Sequence, residues 1–80
     1  MIHMYTTTWC GDCRAAKAFL KTHGVAFEEI NIEKVEGAAT RVQAANAGKC
    51  KVPTFEVDGR YFHCSPFDPV KLRRELQLPE

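Results

Sequence analysis

The 80-residue chain contains no long apolar run. A bilayer-spanning helix needs roughly 20 mostly apolar residues in succession, so no membrane span is expected. The pattern of a secretory leader is missing too. No basic start is followed by an apolar block, and Thr6, Thr7 and Thr8 arrive at once. Charge of one sign is also lacking. Lys and Arg number 11 and Asp and Glu 10, for a formal net charge of +1. With no Lys/Arg run either, nothing points to nucleic acid or to an anionic membrane surface. Internal repeats, low-complexity tracts and linker-like stretches are absent. Residues 1–80 are therefore expected to form one domain with a small core.

What is present is an ordinary globular composition, 45% apolar and 26% charged, with four cysteines. In a short secreted chain, four cysteines would suggest a disulfide framework. Here the expected compartment is the cytosol, where structural disulfides are uncommon. A transient or catalytic thiol pair is favoured instead.

Ile2 to Thr7 is β-prone and reads as a first strand. From Cys13 the pattern turns helical, with Ala16, Phe19 and Leu20 at three- and four-residue spacings and Gly24 at the exit. Val25 to Ile32 reads as a second strand, and Glu33 to Ala47 as a second helix. Glu33 and Glu36 would lie near the positive end of that helix, and Ala38, Val42 and Ala45 along a buried stripe. Val52 to Val57 and Arg60 to His63 flank Asp58-Gly59, a strong hairpin signal. Asp68-Pro69 looks like an N-cap followed by proline at the first helical position, opening a third helix over Val70 to Leu76. Ser65-Pro66 offers a competing start. The order β-α-β-α-β-β-α predicts a mixed four-stranded sheet covered by helices, with strands one and two parallel. Phe19, Phe27, Phe55 and Phe62 are assigned to the core.

The stretch Trp9-Cys10-Gly11-Asp12-Cys13-Arg14 sits between the first strand and the first helix. A thiolate is a good nucleophile and a thiol a poor one. At a helix start, free backbone N–H groups and the helix dipole favour negative charge on Cys10. Cys13, one turn on, is placed to attack a mixed disulfide and release product. Arg14 and Lys17 add positive charge. Asp12 opposes it, which is expected to lower oxidising power. An alternative is a metal or iron–sulfur module, in which Cys10 and Cys13 would be joined by two of Cys50, His63 and Cys64. Cys50 and Cys64 form no second close pair, so the usual knuckle spacing is missing.

With these motifs and this order of elements, the chain resembles the glutaredoxins of the thioredoxin-fold superfamily. It looks most like the short bacterial glutaredoxin-like proteins, mycoredoxins included. The resemblance spans nearly the whole chain. It rests on TTTWCGDC after the first strand, on Lys51-Val52-Pro53 before the hairpin and on SPFDPVKL. It implies an α/β thioredoxin fold and a thiol–disulfide oxidoreductase, with Cys10 as nucleophile and Cys13 as resolving thiol. It also implies a cis Val52-Pro53 bond facing the CxxC pair, where the backbone pairs with a bound substrate strand. No tightly bound cofactor is implied. The expected partners are protein or mixed disulfides on one side, and on the other a reductase or a low-molecular-weight thiol such as glutathione or mycothiol. A monomer is expected.

The departures from the family pattern bear on the reductant. CGDC stands where CPYC is frequent, and Thr7 where a lysine often stands. Lys51 replaces a frequent threonine, and His63-Cys64 falls near a frequent Gly-Gly. Lys51 and Arg41 are candidates to hold a thiol cofactor's carboxylate. Trp9, Lys51, Val52, Pro53, Cys64 and Ser65 are candidates for the substrate surface.

Hairpin counting sets Val57 opposite Arg60, Phe55 opposite Phe62 and Pro53 opposite Cys64. Cys64 is therefore expected close to Cys10, as an accessory thiol or a small filler. Cys50 could pair with Cys64 if their Cα atoms lie within about 7 Å. His3 and His63 are either metal ligands or proton carriers, or satisfied surface histidines.

Overall fold

The computed structural model describes residues 1–78. Residues 79 and 80, the end of the expected domain, lie outside them. The elements are β1 (Ile2–Thr6), α1 (Gly11–Thr22), β2 (Glu28–Asn31), α2 (Ala38–Ala45), β3 (Thr54–Val57), β4 (Arg60–His63) and α3 (Pro69–Glu75). They form one mixed sheet in the order β2-β1-β3-β4. β1 and β2 run parallel, and the other pairs are antiparallel. This is the expected β-α-β-α-β-β-α thioredoxin fold.

Alternation along the strands sorts the residues onto two faces. Met4, Phe55 and Phe62 share one face by register. α1 lies on that side, where Lys17 pairs with Glu29 at 3.0 Å. α3 lies there too, with Arg60 paired to Glu75 at 2.6 Å and Phe67 edge-on to Phe19. Met4, Phe55, Leu20 and Leu72 are fully buried between the layers. On the other face α2 covers Tyr5 and Thr54, contributing Ala38 and Val42 to the core. Beyond α2 that face carries His3 between Glu56 and Glu28.

The hairpin has the expected register, Val57 to Arg60 and Phe55 to Phe62. Asp58 and Gly59 both have positive φ, +52° and +81°, as a two-residue primed turn requires. Asp68 caps α3, its carboxylate accepting the Val70 and Lys71 N–H groups. Ser65-Pro66 does not start that helix. It is a cis peptide in the loop before it, as is Val52-Pro53 before β3.

Several boundaries differ from the sequence-based expectation. α1 begins at Gly11, two residues before Cys13, because Cys10 itself is the N-cap. β2 is shorter than Val25 to Ile32, since the Val25 N–H is taken by the Leu20 carbonyl closing α1. α2 starts at Ala38 rather than Glu33. The Asn31 carbonyl accepts the Lys34 and Val35 N–H groups, and its side chain accepts that of Glu33. Those bonds hold 32–37 in turns, and Gly37 at φ +83° caps the helix. Glu33 and Glu36 therefore lie outside its first turn. Ala45 is exposed, so the buried stripe is Ala38 and Val42 only.

Phe55 is wholly buried and stacks on Phe62, with ring centroids 5.2 Å apart. Phe55→Ala is expected to cost about 3–5 kcal/mol, a large share of a small domain's stability. The check is the urea midpoint, which falls while the slope holds.

Candidate active site

Cys10 ends the short loop that leaves β1. Three side-chain bonds fasten this loop to the β2 side of the molecule. Thr6 donates to Glu29 at 2.8 Å, Asn31 to the Thr8 hydroxyl at 3.1 Å, and the Trp9 indole to Glu33 at 3.3 Å. Cys10 then caps α1 from an extended conformation, and its Sγ accepts the Cys13 N–H at 3.0 Å. A sulfur so placed meets the otherwise unpaired N–H groups of a helix start. On its other side the Cys10 thiol donates to the Val52 carbonyl at 3.5 Å.

Val52 is held there by a chain of bonds. The Thr54 hydroxyl donates to the Lys51 carbonyl at 2.5 Å. The Asn46 amide donates to Thr54 at 3.1 Å and to the Val42 carbonyl at 2.7 Å. The end of α2, the Lys51-Val52-Pro53 loop and β3 are thereby locked together. From β4, the Cys64 N–H reaches the Pro53 carbonyl at 3.0 Å.

Cys13 lies behind Cys10, 1% exposed. Burial, then the hydrogen bond and charge of Cys10, push its thiol up to about 12 from an ordinary 9.0. A Thr7 backbone hydrogen bond and Lys17 oppose this only in part. Cys13 is thus a neutral thiol at physiological pH. Asp12 does not lie free between the sulfurs, because its carboxylate accepts the Phe67 N–H at 3.1 Å. That bond ties the motif to the loop before α3.

The structure brings Trp9, Cys10, Lys51, Val52 and Ser65 together around one open cleft of about 300 Å³. Gly11, Asp12 and Cys50 complete it. Pro53 is buried beside Val52. Arg41 is elsewhere, in a groove on the α2 side with Glu28 and Glu29, where the Tyr5 hydroxyl holds its guanidinium even more firmly charged.

Cys64 sits opposite Pro53 as counted, but it is fully buried and does not line the cleft. Its sulfur accepts the Asp68 N–H at 3.3 Å and donates to the Asp68 carbonyl at 3.4 Å. Burial raises its pKa above the ordinary thiol range. Cys50, by contrast, is exposed, and all four cysteines are free thiols. His63 accepts the Ser65 N–H at 3.4 Å. Burial, then Lys71 and Lys51, lower its pKa, so it is neutral near pH 7. His3 pairs with Glu56 at 2.6 Å on the sheet. Among the described residues no group of three or more His, Cys, Asp and Glu side chains is arranged to hold a metal ion.

A helix-capping sulfur that accepts a backbone N–H, backed by a second, protonated sulfur and opened to a narrow cleft, is a dithiol–disulfide site on a thioredoxin fold. Residues 2–62 match the Glutaredoxin family profile. A Mycobacterium tuberculosis protein named "Putative glutaredoxin" is 37% identical over 71 residues, 88% of this chain and 84% of that one. A mutant form of the thioredoxin-like protein BC3987 superposes with a TM-score of 0.81 at 29% identity, covering 98% of this chain and 96% of the other. NrdH-redoxin from Escherichia coli, described as glutaredoxin-like, gives 0.76 at 29% identity, with 91% of each chain covered. The chain belongs to the glutaredoxin family and is a thiol–disulfide oxidoreductase. That family generally draws electrons from glutathione or another thiol. No helix among the described residues is long and apolar enough to cross a membrane.

Because the folded protein keeps the Cys13 proton to higher pH than the unfolded chain does, this thiol leaves stability untouched well below 9.0. It lowers stability as pH climbs from 9.0 toward about 12. Denaturant titrations of the reduced protein should show that decline, and Cys13→Ala should flatten it. Equal slopes for the two proteins would mean that the thiol is not held neutral.

Proposed function

We propose that the chain reduces disulfides by a dithiol route in which Cys10 attacks and Cys13 resolves. The observation that supports it most is the Cys10 sulfur accepting the Cys13 N–H at 3.0 Å while lining the cleft. That hydrogen bond fixes the sulfur at the start of α1 with a backbone donor facing it. The Cys10 thiolate forms a bond to one substrate sulfur and expels the other as a thiolate. Cys13 then attacks the Cys10 sulfur of the mixed disulfide, its proton passing to the departing thiolate. The products are a reduced substrate and a Cys10–Cys13 disulfide, which an external donor reopens.

The substrate surface is built from Trp9, Lys51, Val52 and Ser65, with Pro53 buried behind Val52. Trp9 is 70% exposed at the rim, a large flat contact for a protein partner. A cleft of about 300 Å³ is at the lower end for ligand pockets. It suits an extended peptide segment or one small thiol better than a bulky cofactor. We assign the protein to the cytoplasm and to a monomeric state.

For the electron donor, the similarity to NrdH-redoxin favours a thioredoxin-reductase-type flavoprotein over glutathione. That relative is described by a thioredoxin-like activity profile. Of the two cations considered for a thiol's carboxylate, Lys51 lines the cleft and Arg41 does not. Lys51 alone is left to supply a carboxylate contact for a low-molecular-weight thiol.

Cys10→Ser should abolish disulfide reduction, and retained activity would remove Cys10 from the role of nucleophile. With NADPH, the oxidised wild type should be reduced faster by thioredoxin reductase than by glutathione with glutathione reductase. The reverse order would show that Lys51 and the His63-Cys64 end still build a glutathione site.

A further inference from the structure

The cleft over the buried Cys10 also holds an exposed thiol that the two-cysteine scheme leaves idle. Cys50 is exposed in the loop between α2 and β3 and lines the same cleft as Cys10. It lies two residues before Val52, whose carbonyl accepts the Cys10 thiol at 3.5 Å. Two residues span at most about 7 Å of chain. The backbone on either side is fastened. The Lys49 N–H bonds to the Asn46 carbonyl at 3.1 Å, and the Lys51 carbonyl to the Thr54 hydroxyl. Cys50 takes part in neither bond, so its peptide can turn without breaking one.

The two possible partners of Cys10 therefore differ in kind. Cys13 is 1% exposed behind it, and Cys50 is exposed on the open cleft that Cys10 also lines. Cys64 is excluded from this chemistry, sealed against the Asp68 backbone.

We propose that Cys50 is a second resolving thiol of this site, a step that rests on Cys10 being the nucleophile. When Cys10 carries a substrate as Cys10–S–S–R, the Cys50 thiolate attacks the Cys10 sulfur. A Cys10–Cys50 disulfide forms, the bond to R breaks, and R leaves as a thiolate that takes up a proton. Over the cycle two electrons pass from the Cys10 and Cys50 sulfurs to the substrate disulfide, which is the oxidant.

The test isolates this route by removing Cys13. Reduced Cys13→Ser, with Cys13→Ala as a second version should serine disturb the buried site, is treated with one equivalent of bis(2-hydroxyethyl) disulfide. After alkylation of free thiols and trypsin digestion without reduction, the linked peptides are identified by mass spectrometry. Lys49 and Lys51 bracket Cys50, and Arg14 closes the peptide bearing Cys10, so the products are distinct. The expected product is the peptide 1–14 joined to Cys50-Lys51. In Cys13→Ser/Cys50→Ser that species is lost, and the mercaptoethanol adduct persists on Cys10. Persistence of the adduct on Cys10 in the single variants, or linkage of Cys10 to Cys64, would overturn the proposal. Neither outcome touches the dithiol reading. That reading fails separately if wild-type protein forms no Cys10–Cys13 disulfide with the same reagent.

Discussion

One sulfur sets the terms for the rest of this molecule. The Cys10 Sγ must sit where it can accept the Cys13 N–H and face the Val52 carbonyl at the same time. The first contact depends on where α1 begins, and the second on where the chain turns into β3. These segments are 42 residues apart in sequence. The sheet solves the problem by placing β1 and β3 side by side, so that the end of one and the beginning of the other meet at a single edge.

Most of the polar side chains near that edge serve to keep the geometry fixed. Asn46 and Thr54 clamp the Val52 loop, Asp12 clamps the loop before α3, and Thr6, Asn31 and Glu33 hold the approach to Cys10. Each bond is modest alone, about 1 kcal/mol net. Together they pre-position the backbone around a reactive sulfur, which lets the sulfur act without first reorganising the loop. The apolar body of the fold supplies the rigid platform. Phe55 and Met4 lie directly beneath, paired across β1 and β3.

The chemistry-bearing parts of this arrangement were legible in the amino-acid order because their signals are local. The CxxC spacing, the Asp58-Gly59 turn and the Asp68-Pro69 cap each declare themselves within a few residues, and hairpin counting correctly set Cys64 against Pro53. Three features were not read from that order. The late start of α2 comes from Asn31 gathering nearby N–H groups, which competes with a helix that Glu33 and Glu36 would otherwise favour. The Asp12 anchor depends on a backbone group 55 residues away. The positions of Cys50 and Arg41 follow from how the α2 side folds over the sheet. Arg41 lies away from the thiols, and Cys50 lines the Cys10 cleft rather than pairing with Cys64.

The sealed proton on Cys13 has an electrochemical meaning. A thiol that stays protonated throughout the physiological range must gain a proton whenever the Cys10–Cys13 disulfide is opened. Electron uptake at this site is therefore coupled to proton uptake. Its midpoint potential shifts by at least about 30 mV for each pH unit, since a tenfold change in a two-electron equilibrium corresponds to that amount. Acidification makes the oxidised form easier to reduce, and alkalinity makes the reduced form a stronger donor.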